Sequence, residues 1–355
     1  VMASLFSGHK LLCSAALLAV GAAIIASQSA SRQPLHAEPA ADIPSVRLLG
    51  GGHLPMSGLG MCCGKKSREV LSYLLAGGRL LDDAGHYNNQ AAVKEALRQA
   101  AAAGIPREQV FLESRIAGKD HGYETAIREM EQLLKEYGVE YLDLAMTAEP
   151  SSSTHEEHSR CGDDRKCRQE TWRALEELKR RGVAKHLGVC NFGPKQLQDI
   201  LDLGGEPIEV VEIEFHPWAF KENWETVEWC HRHGIAVIAY GSLLNPGTAG
   251  MTLPWQNKSL QKMTEAGAFK QLGRIAEAHK KTGQQVLLRW AIEHNVTVIP
   301  GSSKVEHMKQ NMDIFDFKLS PEEMQELDSV PEEDRLAIFP WNLPDRERYA
   351  WSGPR

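Results

Sequence analysis

The sequence lacks any run of basic residues that could track a phosphate backbone, and its 47 Asp and Glu outnumber its 40 Lys and Arg. Nucleic acid is therefore excluded as an expected partner. No Cys and His set carries zinc spacing, so no metal is expected. The seven cysteines do not settle a redox compartment. Cys62 and Cys63 adjoin and cannot easily bridge one another, whereas Cys161 and Cys167 flank a charged stretch and can pair where the surroundings oxidise. The dinucleotide fingerprint G-x-G-x-x-G is also missing, because Gly58-Leu59-Gly60-Met61-Cys62-Cys63 keeps only the first two glycines. That absence argues against a doubly wound open sheet. Finally, no acidic residue stands before Glu38, and the apolar stretch Leu11 to Ala26 is sixteen residues long, short of the roughly 20 that span a bilayer. With Lys10 ahead of it and Ser27, Ser29, Ser31 and Arg32 behind, it reads as a targeting segment, with a buried helix as the alternative. The address expected is the secretory route or organelle import, plastids included, with membrane anchoring if the segment is retained.

What remains suits one large α/β domain. The expected division is a targeting segment and linker over 1–41, a barrel over 42–335 and an aromatic tail over 336–355. Val46 to Leu49, Gly50-Gly51-Gly52 and His53 to Met56 read as a hairpin that plugs a barrel end, since glycines allow the positive φ of a tight turn. Strands are expected at Ser57–Gly60, Arg79–Asp82, Val110–Ser114, Leu142–Thr147, His186–Val189, Val210–Glu214, Ala236–Ala239 and Thr297–Ile299. Between them lie stripes of helical period, such as Ile127, Met130, Leu134 and Tyr137, or Trp172, Leu175 and Leu178. Eight such alternations predict a (β/α)8 barrel, a TIM barrel of the α/β class. Ser320-Pro321-Glu322-Glu323 predicts a further helix start. The tail carries Phe339, Trp341, Tyr349 and Trp351. It either covers a pocket, placing Trp341 against substrate, or packs on the barrel's outside.

In such a barrel the active site forms where the strands exit at their C-terminal ends. Six exits carry a match. Gly78-Arg79-Leu80-Leu81-Asp82-Asp83-Ala84-Gly85-His86-Tyr87-Asn88-Asn89, followed by Val93-Lys94-Glu95-Ala96-Leu97, resembles the aldo-keto reductase signature G-x-R-x-x-D-x-A-x-x-Y-x-N-E-x-x-V-G-x-A-L. Tyr141-Leu142-Asp143-Leu144, Gly188-Val189-Cys190-Asn191-Phe192 and Glu212-Ile213-Glu214-Phe215-His216-Pro217 follow in family order. Ala239-Tyr240-Gly241-Ser242-Leu243 and Val298-Ile299-Pro300-Gly301-Ser302-Ser303 complete the series. The resemblance runs from Val46 to about Leu327 and implies reduction of aldehyde or ketone carbonyls by hydride transfer from NAD(P)H. It implies Tyr87 as proton donor, Asp82 as its aspartate and a neighbouring cation that lowers the tyrosine's pKa.

The departures bear on each role. Where the family has lysine stands Arg115, which is larger, planar and permanently protonated. Where it has histidine stands Ala148, which can donate nothing. Glu149 lies one residue on, a step that turns a strand side chain to the other face. His86 and His155 are the possible stand-ins. Cys62 and Ala117 fall where relatives place tryptophans, so a pocket bounded by Cys62, Ala148, Glu149 and Trp341 is wider or differently shaped.

On the cofactor side Tyr240 matches the tyrosine that stacks on nicotinamide, and Asn191 a carboxamide contact. Cys190 replaces serine and Glu212 replaces glutamine, and an ionised Glu212 can only accept. Gly241, Ser242 and Leu243 follow in the same motif. After the eighth strand Ser302, Ser303, Lys304, His307 and Asn311 lie on a turn and helix whose N-terminus suits phosphate. The family's lysine for the 2′-phosphate is Gly301 here and its arginine is His307, leaving Lys304 to supply charge. NADP(H) is favoured over NAD(H). A monomer is expected, with a small carbonyl compound as partner and a membrane only if the N-terminal segment is kept. The competing reading is a cofactor-binding barrel of impaired turnover that senses redox state or binds partners, and Ala148 supports it.

Overall fold

The computed structural model describes residues 36–62, 64–150, 163–243 and 270–331. The chain divides into a unit ending at His36 and a body from Ala37 onward, and the elements below belong to the body. Leu11 to Ala26, His155 and the tail with Trp341 lie outside the described residues. The expected secretory, organellar or membrane-anchored address does not stand. Among the described residues no helix is long and apolar enough to cross a membrane.

Two short antiparallel strands, β1 (Ser45–Arg47) and β2 (His53–Pro55), form the expected hairpin, with Gly51 and Gly52 at φ 90 and 74. Eight parallel strands follow: β3 (Leu59–Gly60), β4 (Leu80–Asp82), β5 (Phe111–Ile116), β6 (Leu142–Thr147), β7 (Ala184–Cys190), β8 (Val210–Glu214), β9 (Ala236–Tyr240) and β10 (Thr297–Val298). They pair in chain order, and a parallel bridge from Ser57 to Val298 joins first to last, closing the (β/α)8 barrel that the alternation predicts. Closure explains the two glycines of the incomplete fingerprint. A Cβ on Gly60 would collide with the Ile299 carbonyl and one on Gly58 with Leu80, so both serve strand contact and not a pyrophosphate.

The described helices are α1 (Ser67–Leu75), α2 (Gln90–Ala102), α3 (Tyr123–Tyr137), α4 (Asp164–Arg180), α5 (Pro194–Leu201), α6 (Phe220–Arg232), α7 (Lys270–His279), α8 (Gly283–Glu293), α9 (Val305–Met312) and α10 (Pro321–Asp328). The predicted stripes are their buried faces: Met130, Leu134 and Tyr137 on α3, and Trp172, Leu175 and Leu178 on α4. The Ser320 hydroxyl accepts from the Glu323 N–H and starts α10 as anticipated. Cys167, in α4, is disulfide-bonded, while Cys190 and Cys230 are free.

Inside the barrel the side chains fall in layers. Leu48 and Leu54 of the hairpin pack against Leu80, Leu144, Val210, Ala236 and Ile238, so the plug supplies an apolar floor. Two residues further along β4, β5 and β8 the layer turns polar. The register pairs Asp82 with Glu113 and Cys190 with Glu212. Paired residues of parallel neighbours face the same side, so all four side chains enter the interior just below the strand exits.

Candidate active site

Arg115 organises this polar layer. Its residue is 2 % exposed, and its Nη2 ion-pairs with Asp82 while its Nη1 ion-pairs with Glu212. Glu113 Oε1 is 3.8 Å from Nη2, and Cys190 Sγ is 3.5 Å from Nη1. Carboxylate oxygens of Asp82, Glu113 and Glu212 lie within 4.8 Å of one another. Three acids thus surround one cation.

The consequences follow from burial. Burial alone would lower the guanidinium's pKa, but the Asp82 and Glu212 charges hold it well above its ordinary value. Burial pushes the Glu113 carboxyl well up, and the neighbouring Asp82 and Glu212 charges push it further. Glu212 is pushed up to about 7 by burial, with Arg115 pulling it back and Asp82 raising it. The Cys190 thiol is raised well above its usual range by burial and by Glu212.

Tyr87 enters from the turn after β4. Gly85–Tyr87 form one 3-10 turn, and Asn88 follows at φ 57, a left-handed conformation asparagine tolerates. The turn is anchored from outside the barrel. Asp83 accepts from Asn89 Nδ2 at 3.0 Å and from the Tyr137 hydroxyl at 2.8 Å, Asn89 Nδ2 also reaches the Met61 carbonyl at 2.6 Å, and Gln90 Nε2 holds the Gly85 carbonyl at 2.8 Å. Tyr87 is half-buried, and the Arg115 guanidinium carbon lies 5.9 Å from its ring centroid. Burial raises the phenol's pKa well above 10, against the lowering effect of Arg115. Among the described residues no hydrogen bond runs from Arg115 to the Tyr87 hydroxyl; both terminal guanidinium nitrogens are taken by carboxylates.

The other exits assemble a second group. Tyr240 donates its hydroxyl to Asn191 Oδ1 at 2.6 Å, and Asn191 Nδ2 donates to the Ala148 carbonyl at 2.8 Å. Asn191 stands at φ 65. Exits of β9, β7 and β6 are thereby tied together, leaving the half-buried Tyr240 ring at the mouth. Gly241 is at φ 69, Ser242 is buried with its hydroxyl on the Ala239 carbonyl at 3.1 Å, and Leu243 packs on the core. After β10, Ser302 is buried and bonds both the N–H and the carbonyl of Lys304, while Ser303, Lys304 and His307 are exposed and Asn311 is buried.

Three residues escaped the sequence reading. Glu113 is one. Lys65, in the loop after β3, has its Nζ 4.0 Å from where a Cβ would stand on Gly301. His121, buried, bonds Thr147 Oγ1 through Nε2 at 2.7 Å, and burial lowers its pKa to about 4. Thr147 alternates with interior-facing Met146, so His121 lies on the helix side and does not replace the histidine missing at Ala148. His86 is exposed and meets the Tyr87 ring edge-on, centroids 4.6 Å apart. Glu149 turns away as the one-residue step implies, accepting from the Gly118 N–H at 3.0 Å, and burial raises its pKa. Cys62 is exposed beside Tyr87, and Ala148 is half-buried.

Comparison with known proteins agrees with this geometry. The family model described as "Aldo/keto reductase family" matches residues 50–332. An aldo-keto reductase of Mycobacterium sp. (strain MCS) is 32 % identical over 318 residues, covering 89 % of this chain and 98 % of that protein. The glyoxal reductase of Bacillus subtilis (strain 168) is 31 % identical over 304 residues, covering 84 % and 97 %. Among solved structures, the Bombyx mori aldo-keto reductase in complex with NADP is similar with TM-score 0.70 at 25 % identity, covering 84 % of this chain and 94 % of that one. The chain belongs to the aldo/keto reductase family. It is an oxidoreductase that reduces carbonyls with a nicotinamide cofactor, and the reading of a barrel without turnover is not favoured. The bacterial matches likewise lend nothing to a secretory or organellar address.

Proposed function

We propose that this chain reduces aldehyde or ketone carbonyls with Tyr87 as proton donor, Asp82 and Arg115 as its charge partners, and NADPH preferred to NADH. One observation carries the reading: strands β4 and β5 bring Asp82 and Arg115 into one buried ion pair directly under the Tyr87 ring. The cofactor supplies the hydride when bound. Tyr240 offers its ring at the mouth, and Asn191 is fixed by two hydrogen bonds to meet a carboxamide. As the carbonyl carbon takes the hydride, the Tyr87 hydroxyl gives its proton to the oxygen, and the phenolate left behind faces the Arg115 charge until water reprotonates it.

The preference for NADPH rests on Lys304 and on Lys65, whose ammonium reaches the space that Gly301 leaves open. With Ser302, Ser303 and His307 they make a polar, positively charged turn at the start of α9, and Asn311 follows in its last turn. The substrate pocket on this reading is bounded by Cys62 and Ala148, with Glu149 turned away toward Gly118, and residues 42–335 form the reductase barrel.

The test is single-turnover oxidation of bound NADPH by a panel of aldehydes and ketones. Tyr87→Phe is expected to slow the chemical step by roughly 10²–10⁴-fold while NADPH fluorescence titrations stay unchanged. Equal turnover by the two proteins contradicts the assignment.

A further inference from the structure

The site holds more acid than the reaction asks for. A tyrosine donor needs a cation near its oxygen to stabilise the developing phenolate. Here the Arg115 guanidinium is held by both terminal nitrogens, through Asp82 on one side and Glu212 on the other, and its Nε is buried without a hydrogen-bond partner among the described residues. Asp82 lies at the exit of β4, beside the Tyr87 turn. Glu212 reaches the same guanidinium from β8, its carboxylate within 4.8 Å of those of Asp82 and Glu113.

We propose that Glu212 is a positioning residue whose carboxylate ties Arg115 away from the Tyr87 hydroxyl, so that reduction is fast only when Glu212 carries a proton. The inference rests on Tyr87 being the donor. Protonation removes the anion from Nη1, and Arg115, still paired with Asp82, is free to turn that nitrogen toward the phenol. The groups facing Glu212 are Asp82 from β4, Glu113 and Arg115 from β5, Cys190 from β7 and Tyr87 from the turn after β4. Burial raises Glu113 and Cys190 well above their usual values, and Tyr87 well above 10. Arg115 stays charged throughout. Glu212, pushed up to about 7 by burial, changes charge across neutral pH. No atoms or electrons beyond those of carbonyl reduction are involved; the proton on Glu212 exchanges with solvent and is not consumed.

The experiment is the pH profile of the single-turnover hydride-transfer rate at saturating NADPH, with one aldehyde that the wild type reduces. Wild type is expected to lose rate as pH rises through about 7, approaching tenfold per pH unit, the behaviour of one essential proton. Glu212→Gln, which keeps the shape without the charge, is expected to be flat over the same span. It is expected to run about tenfold faster than wild type near pH 8 and within about twofold of it near pH 6. NADPH affinity measured alongside separates a change in cofactor seating from a change in rate. A flat wild-type profile overturns the proposal even if Glu212→Gln does not fold. So does a Glu212→Gln profile that keeps the wild-type slope. The same profile for Tyr87→Phe distinguishes the two levels. A slow Tyr87→Phe with an unchanged Glu212→Gln slope overturns the Glu212 role alone, whereas a Tyr87→Phe as fast as wild type overturns the donor assignment and this inference together.

Discussion

The two ends of the barrel bury carboxylates in opposite ways. At the hairpin end the buried Glu209 is met by Lys179 Nζ, His186 Nδ1 and the Gly50 N–H at 2.8, 2.8 and 2.9 Å. Burial works against its charge, but these donors win and hold its pKa below the ordinary range. At the strand exits three acids share Arg115, and the same burial is not overcome: Glu113 and Glu212 are both raised. One end spends donors to hold the plug in place, and its chemistry is inert. The other gathers carboxyls whose protonated forms burial favours next to Tyr87, an arrangement that makes sense at an active site and is unfavourable elsewhere.

The largest effect that sharpens this contrast comes from Arg115→Met. Without the cation, three acids face one another in a dry interior. The chemical step is expected to fall by roughly 10²-fold or more and stability by more than about 3 kcal/mol, read by single-turnover kinetics and urea melts. Arg115→Lys is expected to keep or raise the rate. A rate unchanged in Arg115→Met removes Arg115 from the mechanism.

The next effect separates the ends by pH. Glu209 has a depressed pKa, so it contributes stability above the ordinary carboxylate range that is lost as pH falls through its folded value. Glu212 has a raised pKa, so its contribution is full below about 4.5 and fades as pH rises to about 7. Glu209→Gln should therefore flatten the acid limb of the stability curve and cost about 1–3 kcal/mol at pH 7, with hydride transfer unaffected. Glu212→Gln should flatten the limb between about pH 4.5 and 7. Urea midpoints across pH decide it, and identical curves for the two variants would erase the distinction.

The smallest effect concerns the cofactor turn. Lys65→Ala is expected to weaken NADPH several-fold, about 1 kcal/mol for one partly exposed charge pair, and to leave NADH affinity alone. Equal weakening of both cofactors would remove Lys65 from the 2′-phosphate.

Much of this was legible beforehand. The eight strands followed from β-rich runs between stripes of helical period, and the plug from three glycines between two short apolar runs. Asp82, Tyr87 and Arg115 stood at the exits where a barrel places chemistry. Glu113 was not legible, because a charged residue on a strand reads as solvent-facing until the register sets it beside Asp82 inside the barrel. The Arg115–Glu212 pair spans strands on opposite walls, and Lys65 meets Gly301 only because closure brings the loops after β3 and β10 together. Such contacts depend on closure, which sequence spacing does not encode.

The most direct measurement of the contrast is isotope-edited infrared spectroscopy of the glutamate carboxyls at pH 7. A carbonyl stretch of protonated, buried carboxylic acid is predicted in the wild type, weakened in Glu113→Gln and in Glu212→Gln, and retained in full in Glu209→Gln. A wild-type spectrum with every glutamate ionised, or a protonated band that survives Glu113→Gln and vanishes with Glu209→Gln, would contradict it.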